Sequence, residues 1–458
     1  MAEIIDRMSK LDRRAALQLM MAASSPIGIR AAQASLAMPD LTAAFVSGFP
    51  LFEFARTAYS LAGPSAAFPP GRFNQIQHRR TLSDASSRAI TATNNDCLVS
   101  SARIDLSGGP AVIVIPDIQD RYFSVALMDA FTDNFHFIGT RATKGRGGRF
   151  VLVPPGWLGP VPSDCKKIAA PTTDVWMLVR ILVGGPGDYD AVHAHQDRLE
   201  LIPPALQPSG QLLPVAPADG RDPANFLSVV NAMLARCPAT DPRVSRALRH
   251  RGTGLMRGVL GAFHDLDGAL RSAWPAAINT GVTLLRAPDP RRERRANGWS
   301  YSLANTGDYG SDDLTRARTA LFGLAALPPE EAFYAHALED AAGMALSGKH
   351  AYRLRLPPGG VPAESFWSVT MYQLESDGRL FLVPNAEARY SIGDRTEGLV
   401  RNRDGSLDIL MQQARPEGAM AANWLPVPSD EFRPLFRAYL ARPELRSLRW
   451  RLPAIERV

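Results

Sequence analysis

CLVSSARIDLSGGPAVIVIPDIQDRYFSVALM, residues 97–128, is the stretch of sequence that decides the fold. Short runs rich in Val, Ile, Leu and Phe alternate in it with turn sequences at residues 107–110 and 116–120. Apolar runs of this length, bounded by Gly, Pro and Asp, predict β-strands. Similar runs recur as far as Arg180 at short, regular spacings, which are typical of an antiparallel sandwich or barrel.

The composition fits a folded chain of many short elements. The 458 residues are 46% hydrophobic and 21% charged, which excludes a disordered or fibrous protein. Proline is enriched, with 37 residues, and favours β-rich architecture over a helix bundle. Three cysteines without a Cys-x-x-Cys pair cannot form a disulfide framework or a zinc motif. The formal net charge of +6 over this length gives no reason to expect a nucleic-acid partner.

A second β-rich region follows residue 300. Apolar or alternating runs at residues 352–356, 366–372 and 407–412 predict strands, and Asp-Gly and Pro-Asn turns separate them. We therefore predict a β-rich α+β fold with two antiparallel β-sandwich or jelly-roll-like units joined by a helical segment. The predicted divisions are a signal peptide at 1–34, a first β-rich module at 41–202, a helical bridge at 203–299 and a second β-rich module at 300–458.

Several stretches show helical signals, and two of them predict helices over residues 188–199 and 312–326. Asp222 followed by Pro predicts a helix start, with an acidic cap and Pro at the first helical position. Apolar spacing predicts further helix over residues 248–263. The same spacing over residues 41–62 predicts an amphipathic helix that is interrupted at Gly48 and Pro50.

The first 34 residues have the order of an export signal. Arg13-Arg14 precedes an uncharged stretch at residues 15–29, and the small residues 32–34 resemble a cleavage site. This order resembles a twin-arginine signal, and the alternative is a cytoplasmic amphipathic helix with a chance Arg-Arg pair. We expect the mature protein to be periplasmic or secreted, with the twin-arginine export machinery as a partner and no transmembrane segment.

Two groups of residues match the motifs of known modules. The first group consists of Asn95-Asp96, Pro116-Asp117, Asp120-Arg121-Tyr122, Gly139-Thr140-Arg141, Pro155-Gly156-Trp157 and Val192-His193-Ala194. The second group consists of residues 366–372, Asn385, residues 389–395, residues 404–407 and residues 423–426. These groups resemble the domains of unknown function DUF1254 and DUF1214, respectively. The resemblance implies a β-rich two-module protein, often exported or envelope-associated in bacteria, and it implies no particular reaction.

The chain departs from the usual DUF1254 pattern in three places. Cys97 and Val99 stand where Thr and Tyr would be expected after Asn-Asp. The other departures are at residues 130–131 and at His195. If the Asn-Asp segment lines a site, these departures predict that its chemistry has changed.

The candidate catalytic residues are Asp129, Asp133 and His136. Asp129 lies within an apolar run, and a carboxylate in such a place must be paired or have a shifted pKa. His136 alternates with two phenylalanines, so it faces a cleft or solvent if they are in the core. The alternative for the cluster of aspartates is that Asp117 and Asp120 form turns and that Asp120 pairs with Arg121 or Arg141. We predict no metal site, because His193 and His195 diverge on the helix predicted over residues 188–199, although on a strand they could share an ion. The cofactor is unknown.

Candidate binding residues cluster in the C-terminal half. Residues 389–395 bring two arginines, a tyrosine and an aspartate together, and they could anchor a ligand carboxylate or sulfate, or tie the two modules by Arg–Asp pairs. Tyr372 lies in the neighbouring motif, and Trp424 could wall a pocket or belong to the core. The full set of predicted binding residues is Asn95, Asp96, Arg121, Arg141, Tyr372, Arg389, Tyr390, Asp394, Arg395 and Trp424.

Two functional hypotheses follow from the sequence. One is an exported enzyme that acts on a small organic substrate in a cleft between the modules, where Asp129, Asp133, His136 and the 389–395 segment would converge. The other is a non-catalytic envelope protein that binds a ligand or takes part in assembly. The export signal favours the enzyme, because binding proteins usually cross the membrane unfolded. Neither the substrate nor the oligomeric state follows from the residues.

Overall fold

The computed structural model describes residues 26–60, 73–88, 90–206, 213–287, 294–375 and 378–458. The predicted twin-arginine pair at Arg13-Arg14 lies outside the described residues. The helices are α1 (Pro26–Ser60), α2 (Tyr189–Gln196), α3 (Pro223–Ala235), α4 (Pro242–Ala247), α5 (Gly268–Arg286), α6 (Asp313–Phe322) and α7 (Pro443–Arg446). Helix α1 contains residues 32–34, the predicted cleavage site. Among the described helices, none has the length and apolar content that crossing a bilayer requires.

The strands confirm the predicted β-rich α+β class. In chain order they are β1 (Gln77–His78), β2 (Cys97–Asp105), β3 (Ala111–Ile115), β4 (Phe123–Asp129), β5 (Asn134–Gly139), β6 (Gly148–Val153), β7 (Lys166–Ala169), β8 (Asp174–Leu182), β9 (Glu200–Ile202), β10 (Arg294–Ala296), β11 (Trp299–Tyr301), β12 (Ala332–Ala337), β13 (Tyr352–Leu356), β14 (Trp367–Leu374), β15 (Leu380–Leu382), β16 (Ser391–Gly393), β17 (Leu407–Gln412), β18 (Trp424–Pro426), β19 (Phe432–Tyr439) and β20 (Ile455–Arg457).

The chain divides into two compact units. Among the described residues, the helical unit consists of Pro26–Phe52, Leu213–Ala235 and Ala239–Ala287. The β unit consists of Glu53–Leu212, Arg236–Pro238 and Pro288–Val458. All the strands therefore belong to the β unit.

The first sandwich of the β unit contains β1 to β9. An antiparallel five-stranded sheet, in the order β1-β2-β8-β4-β5, packs against a four-stranded sheet in the order β7-β6-β3-β9. One buried cluster, which includes Leu98, Ile113, Phe123, Phe150 and Val179, fills the space between the two sheets. Strand β2 is buried along nearly its whole length, so both faces of the five-stranded sheet are covered.

The second sandwich has a similar plan. Strands β10-β11-β12-β19-β14-β15 form a sheet that β16 joins by pairing with β14, and a four-stranded sheet has the order β18-β17-β13-β20. Its core includes Trp299, Phe333, Val369, Ile409 and Phe436. Most pairs are antiparallel, and β17–β18 and β6–β7 are parallel.

The helical unit is held together by an aromatic cluster around Phe226 on α3. Its ring centroid lies 5.0 Å from that of Phe45, 5.7 Å from that of Phe52 and 6.1 Å from that of Trp274. The predicted cap is confirmed, because the Asp222 carboxylate accepts hydrogen bonds from two backbone N–H groups at the start of α3.

The predicted interruption of the first helix is wrong. Helix α1 continues through both Gly48 and Pro50, although an internal Pro removes one hydrogen bond. Phe45 and Phe52, on either side, are buried against Phe226, so apolar packing compensates for the lost bond. At Gly48 the backbone approaches α3 so closely that a Cβ atom would lie 3.1 Å from the Phe226 ring.

The helix predicted over residues 248–263 is also largely wrong. A 3-10 helix covers Leu248–Thr253, and turns follow as far as α5. The side chain of Asn231 is fully buried, donates to the carbonyls of Gly254 and Val259, and accepts from the N–H of Met256. These bonds satisfy backbone groups that a helix would otherwise use.

Candidate functional site

The candidate site is a cavity of about 430 Å³ within the β unit, lined by the outer faces of both sandwiches. In β8, Met177 and Val179 point into the first core, whereas Trp176, Leu178 and Arg180 line the cavity. This arrangement follows from the two-residue period of a strand, which sends successive side chains to opposite faces. The outer face of the five-stranded sheet is therefore one wall.

The second wall is the outer face of the seven-stranded sheet. In β19, Phe436 belongs to the second core, and Leu435 and Arg437 line the cavity. On the neighbouring strand β12, Tyr334 pairs with Arg437 and His336 pairs with Leu435, so their side chains share this face. The rest of the lining comes from the segment before β2, from strand β11 and the residues after it, from one side of α6 and from residues 323–326. The first of these contributes Arg79, Ser83, Ser87 and residues 90–94, and α6 contributes Thr315, Arg318, Thr319 and Phe322.

The charged groups of the lining are all of one sign. Among the described residues, the lining includes Arg79, Arg180, Arg318 and Arg437, and it includes no Asp or Glu. Most of the other lining side chains are apolar or aromatic, such as those of Leu178 and Tyr334. The cavity therefore combines an apolar body with several cationic groups.

Arg437 is a buried cation with neutral hydrogen-bond partners. Its guanidinium donates to the Thr370 hydroxyl at 3.0 Å, and to the Tyr372 hydroxyl and the Ala92 carbonyl at 2.9 Å each. Burial by itself would lower the pKa of Arg437, but Tyr372, Tyr439 and Asp96 hold it above its ordinary value. The guanidinium is thus fixed in place and stays charged.

Arg180 is less well satisfied. It is 9% exposed, and its Nη2 donates to the Ala325 carbonyl at 3.0 Å. Its Nη1 is buried and has no hydrogen-bond partner among the described residues. A buried donor that lacks a partner costs about 1–3 kcal/mol, and more when it is charged.

His336 is the titratable group on the second wall. Burial and the neighbouring cations Arg437 and Arg433 lower the pKa of His336 to about 4. The imidazole is therefore neutral near pH 7. Its strand neighbours are Ser300 on one side and Leu435 on the other, and both line the cavity.

A second set of charged residues lies where the two sandwiches meet. Asp96, in the first sandwich, is 2% exposed and accepts from Arg395 at 2.9 Å and from the Ser368 hydroxyl at 2.8 Å. Arg395 also donates to the Val183 carbonyl at 3.0 Å. Its guanidinium carbon lies 4.5 Å from the centroid of the Phe366 ring. These contacts join the first sandwich to the second through a paired charge.

Glu331 makes a similar connection. Its carboxylate is buried, accepts from the Tyr122 hydroxyl at 2.7 Å, and pairs with Arg141 at 2.6 Å. Tyr122 and Arg141 belong to the first sandwich, and Glu331 immediately precedes strand β12 of the second.

The three predicted catalytic residues do not line the cavity. Asp129 is buried and accepts from the backbone N–H groups of Phe131 and Asp133, which close a turn. Asp133 pairs with the buried Arg316 and accepts from the N–H of Tyr309. His136 is half-buried on β5, and burial lowers its pKa. Their assigned roles stay predictions.

The predicted binding residues of the N-terminal half also lie outside the cavity lining. Arg121 pairs with Asp120 and Asp188. Asn95 accepts from the Ser391 hydroxyl at 3.2 Å and donates to the Ser83 carbonyl. Asp96 and Arg141 form the inter-sandwich pairs with Arg395 and Glu331.

The C-terminal predicted residues likewise do not line the cavity. Arg389 donates to the Ala421 and Ala422 carbonyls. Burial raises the pKa of Asp394, which accepts from the backbone of Trp367 at 3.3 Å. The remaining three are Tyr372, which binds Arg437 and the Thr93 carbonyl, Tyr390, which packs against a small apolar cluster, and Trp424, which donates to the Gln412 carbonyl.

The sequence contained a signal for the cavity arginines that the predictions did not use. A charged residue inside an apolar run singled out Asp129, and Arg180 lies in a comparable run of β8. Arg437 lies between Phe436 and Ala438 in the more mixed strand β19. The predicted pair His193 and His195 contacts the Arg80 carbonyl and Asp120, respectively. In the described part of the chain, no group of three His, Cys, Asp or Glu residues has the geometry of a metal site.

Family models match both sandwiches. The model for the protein of unknown function DUF1254 matches residues 73–203, and that for DUF1214 matches residues 331–443. The chain belongs to this paired DUF1254–DUF1214 family. The DUF1254 match includes β8, and the DUF1214 match includes β12 and β19, so both modules supply walls of the cavity.

Two solved structures are similar to this DUF1254–DUF1214 chain. One is a crystal structure of the VPA0106 protein from Vibrio parahaemolyticus. The match covers 92% of this chain and 99% of the VPA0106 chain, with 21% sequence identity and a TM-score of 0.69. A crystal structure of an uncharacterised Burkholderia cenocepacia protein covers 93% and 97%, with 14% identity and a TM-score of 0.44. The first similarity shows the fold alone. No curated protein matches the sequence.

Proposed function

We propose that the protein binds a small organic molecule in the cavity lined by its DUF1254 and DUF1214 modules. The observation that carries this proposal is an apolar, aromatic-lined space of about 430 Å³ with walls from both modules. Ligand sites in proteins are typically concave, mostly apolar and about 300–1,000 Å³ in volume, with a few polar groups that orient the ligand.

A cavity-filling variant tests this proposal. Ser300 lines the cavity, so Ser300→Phe should fill part of it, and Ser311→Phe adds the same ring at an exposed position outside the lining. The probe is 8-anilinonaphthalene-1-sulfonate, with binding followed by fluorescence and by native mass spectrometry. We expect one-to-one binding to the wild type and Ser311→Phe, and at least a tenfold loss in Ser300→Phe. Equal binding by all three proteins would overturn the assignment of the site.

Catalysis on the bound molecule is the second candidate, and His336 is the observation that favours it. A neutral imidazole on the wall of a cavity can accept a proton from a bound molecule. The test incubates each molecule that binds with the wild type and with His336→Gln, and follows its consumption by NMR. Turnover by the wild type that is lost in His336→Gln would support an enzyme. Stable binding without consumption by the wild type would leave a binding protein.

We also propose that the protein is exported through the twin-arginine route, with removal of residues 1–34. The order of Arg13-Arg14, an uncharged stretch and small residues supports this proposal. Cleavage after Ala34 would keep the buried α1 residues from Leu41 onward. Cell fractionation with N-terminal sequencing should find a periplasmic chain beginning at Ser35. The paired change Arg13→Lys and Arg14→Lys should retain it in the cytoplasm, and unchanged export would contradict this route.

A further inference from the structure

We infer that the ligand of this cavity is an organic anion, a carboxylate attached to an apolar body of about the size of one or two rings. This inference rests on the proposed function and adds the chemical class of the ligand. It depends on four observations about the charges that face or support the cavity.

The first observation is the missing counter-charge. Among the described residues, neither Arg180 nor Arg437 forms an ion pair with a carboxylate, and the lining includes no Asp or Glu. An uncompensated charge in a protein interior is costly, and buried charges are normally paired. An anion in the cavity would supply the counter-charge that the chain itself does not.

The second observation concerns the nearest buried carboxylate. Asp96 is close enough to Arg437 to help raise the pKa of that guanidinium. Both oxygens of Asp96 are already in use, since one accepts from Arg395 and the other from Ser368. Asp96 therefore compensates Arg395 first and leaves Arg437 with hydrogen bonds to neutral groups only.

The third observation is an open donor. Nη1 of Arg180 is buried, lacks a hydrogen-bond partner among the described residues, and belongs to a side chain that lines the cavity. The guanidinium of Arg binds carboxylates with short, charge-assisted hydrogen bonds. A ligand carboxylate that accepts from Nη1 would remove the cost of leaving this donor unsatisfied.

The fourth observation is a further cation next to the wall. Arg103 is 7% exposed, and none of its three guanidinium nitrogens has a hydrogen-bond partner among the described residues. Its guanidinium carbon lies 3.4 Å from the centroid of the Trp176 ring, and Trp176 lines the cavity. Burial lowers the pKa of Arg103, and a nearby anion would favour its charged form, because Coulomb interactions are strong in a region of low dielectric.

The shape of the lining accounts for the apolar part of the ligand. Trp176 and Leu178 on one wall and Tyr334 and Leu435 on the other present apolar surface to the space between them. A flat ring bound there would bury its faces against these side chains, and the carboxylate would face the arginines. Small inorganic anions would satisfy the charge and leave this apolar surface uncovered.

The experiment compares two probes of nearly equal size that differ in charge. Naphthalene-2-carboxylate is an anion at pH 7, and naphthalene-2-carboxamide is neutral. We expect the wild type to bind the carboxylate at least tenfold more tightly in calorimetric titrations at constant salt. Arg180→Met should remove most of this preference, and Arg180→Lys should retain part of it. Arg403→Met removes a positive charge at an exposed turn and should leave the preference unchanged.

The outcomes separate this inference from the proposed function. If both probes bind equally, Ser300→Phe blocks both and Arg180→Met changes neither, the cavity is a ligand site and the inference about charge is wrong. If neither probe binds the folded wild type, the proposed function fails for ring-sized ligands, and the inference fails with it. A carboxylate preference that persists in Arg180→Met would place the anion elsewhere and overturn the inference.

Discussion

Arg395 and Arg180 both lie where the DUF1254 and DUF1214 modules meet. They differ in the partners of their guanidinium groups. Arg395 has a buried counter-ion, Asp96, at 2.9 Å. Arg180 has one carbonyl partner, and one of its nitrogens has no partner among the described residues. The comparison teaches that a positive charge alone does not identify a ligand site. What distinguishes Arg180 is that it has no counter-ion among the described residues, which is costly unless an anion binds beside it.

Breaking the paired arrangement should have the largest effect on stability. Asp96→Asn removes the buried, hydrogen-bonded counter-ion of Arg395 and leaves it only the Asp394 carboxylate at 3.7 Å, so the free energy of unfolding should fall by about 3 kcal/mol. The control is Glu375→Gln, which breaks the exposed pair with Arg88 and should cost less than about 1 kcal/mol. Urea unfolding followed by circular dichroism measures both, and equal losses would contradict the assigned role of Asp96.

The same variant can be followed locally through Cys97. This thiol is 2% exposed, packs with Tyr122 and Tyr439, and burial raises its pKa to about 12. It should resist alkylation in the wild type and react faster in Asp96→Asn, in a Cys165→Ser background that removes the more exposed thiol. Peptide mass spectrometry would show which cysteine is labelled.

An intermediate effect is expected from His336 when the pH falls. Its pKa is about 4 in the folded protein, below the ordinary value near 6.5, because burial and then Arg437 and Arg433 disfavour its charged form. The unfolded chain therefore binds a proton first, and stability should be lost as the pH falls from about 6.5 toward 4. Between pH 7 and 4.5, the free energy of unfolding of His336→Asn should fall by roughly 2–3 kcal/mol less than that of the wild type.

A control for this pH effect is His264→Asn, since His264 is exposed and should not change the profile. Urea midpoints at several pH values measure the three proteins. The assigned environment of His336 would be wrong if its variant followed the wild-type profile. Adding a carboxylate that binds in the cavity should reduce the loss of stability at low pH, because the bound anion offsets the repulsion between Arg437 and protonated His336.

The smallest effect should come from Arg180. Without ligand, Arg180→Met removes a buried charge that lacks a counter-ion, so the free energy of unfolding should stay the same or rise by about 1 kcal/mol. Arg395→Met should lower it instead, since Asp96 would be left unpaired. Urea unfolding of the ligand-free proteins distinguishes the two. Similar losses in both variants would remove the distinction between paired and unpaired arginines.

The sequence predicted the strands better than the site. The apolar run at residues 111–115 coincides with strand β3, because five consecutive β-branched or small apolar residues between two turns favour a strand over other local structures. Strand β2 is harder to delimit from the sequence, because the polar pair Ser100-Ser101 interrupts its apolar residues. Both serines are paired in the ladder, and their hydroxyls bond to His78 and Trp176.

The site was harder to predict because its residues come from distant parts of the chain. Arg180 and Arg437 meet one cavity only after two sheets are formed, and neither is part of a local motif. The density of aspartates around Asp129 drew attention instead, and the Asp129 side chain closes a turn. Which buried charge lacks a partner depends on tertiary contacts, and no local pattern in a single sequence contains that information.

The position of β19 in the chain has a consequence for how the protein is made. A ribosome completes the DUF1254 module, with Trp176 and Arg180 on its outer face, long before it reaches Arg437. Until then this face lacks its opposite wall, and an aromatic surface beside unpaired cations is exposed in the nascent chain. A holding chaperone or an early small-molecule ligand would have its greatest effect during this interval, and ribosome-bound chains stopped before β19 should be the species that aggregate most readily.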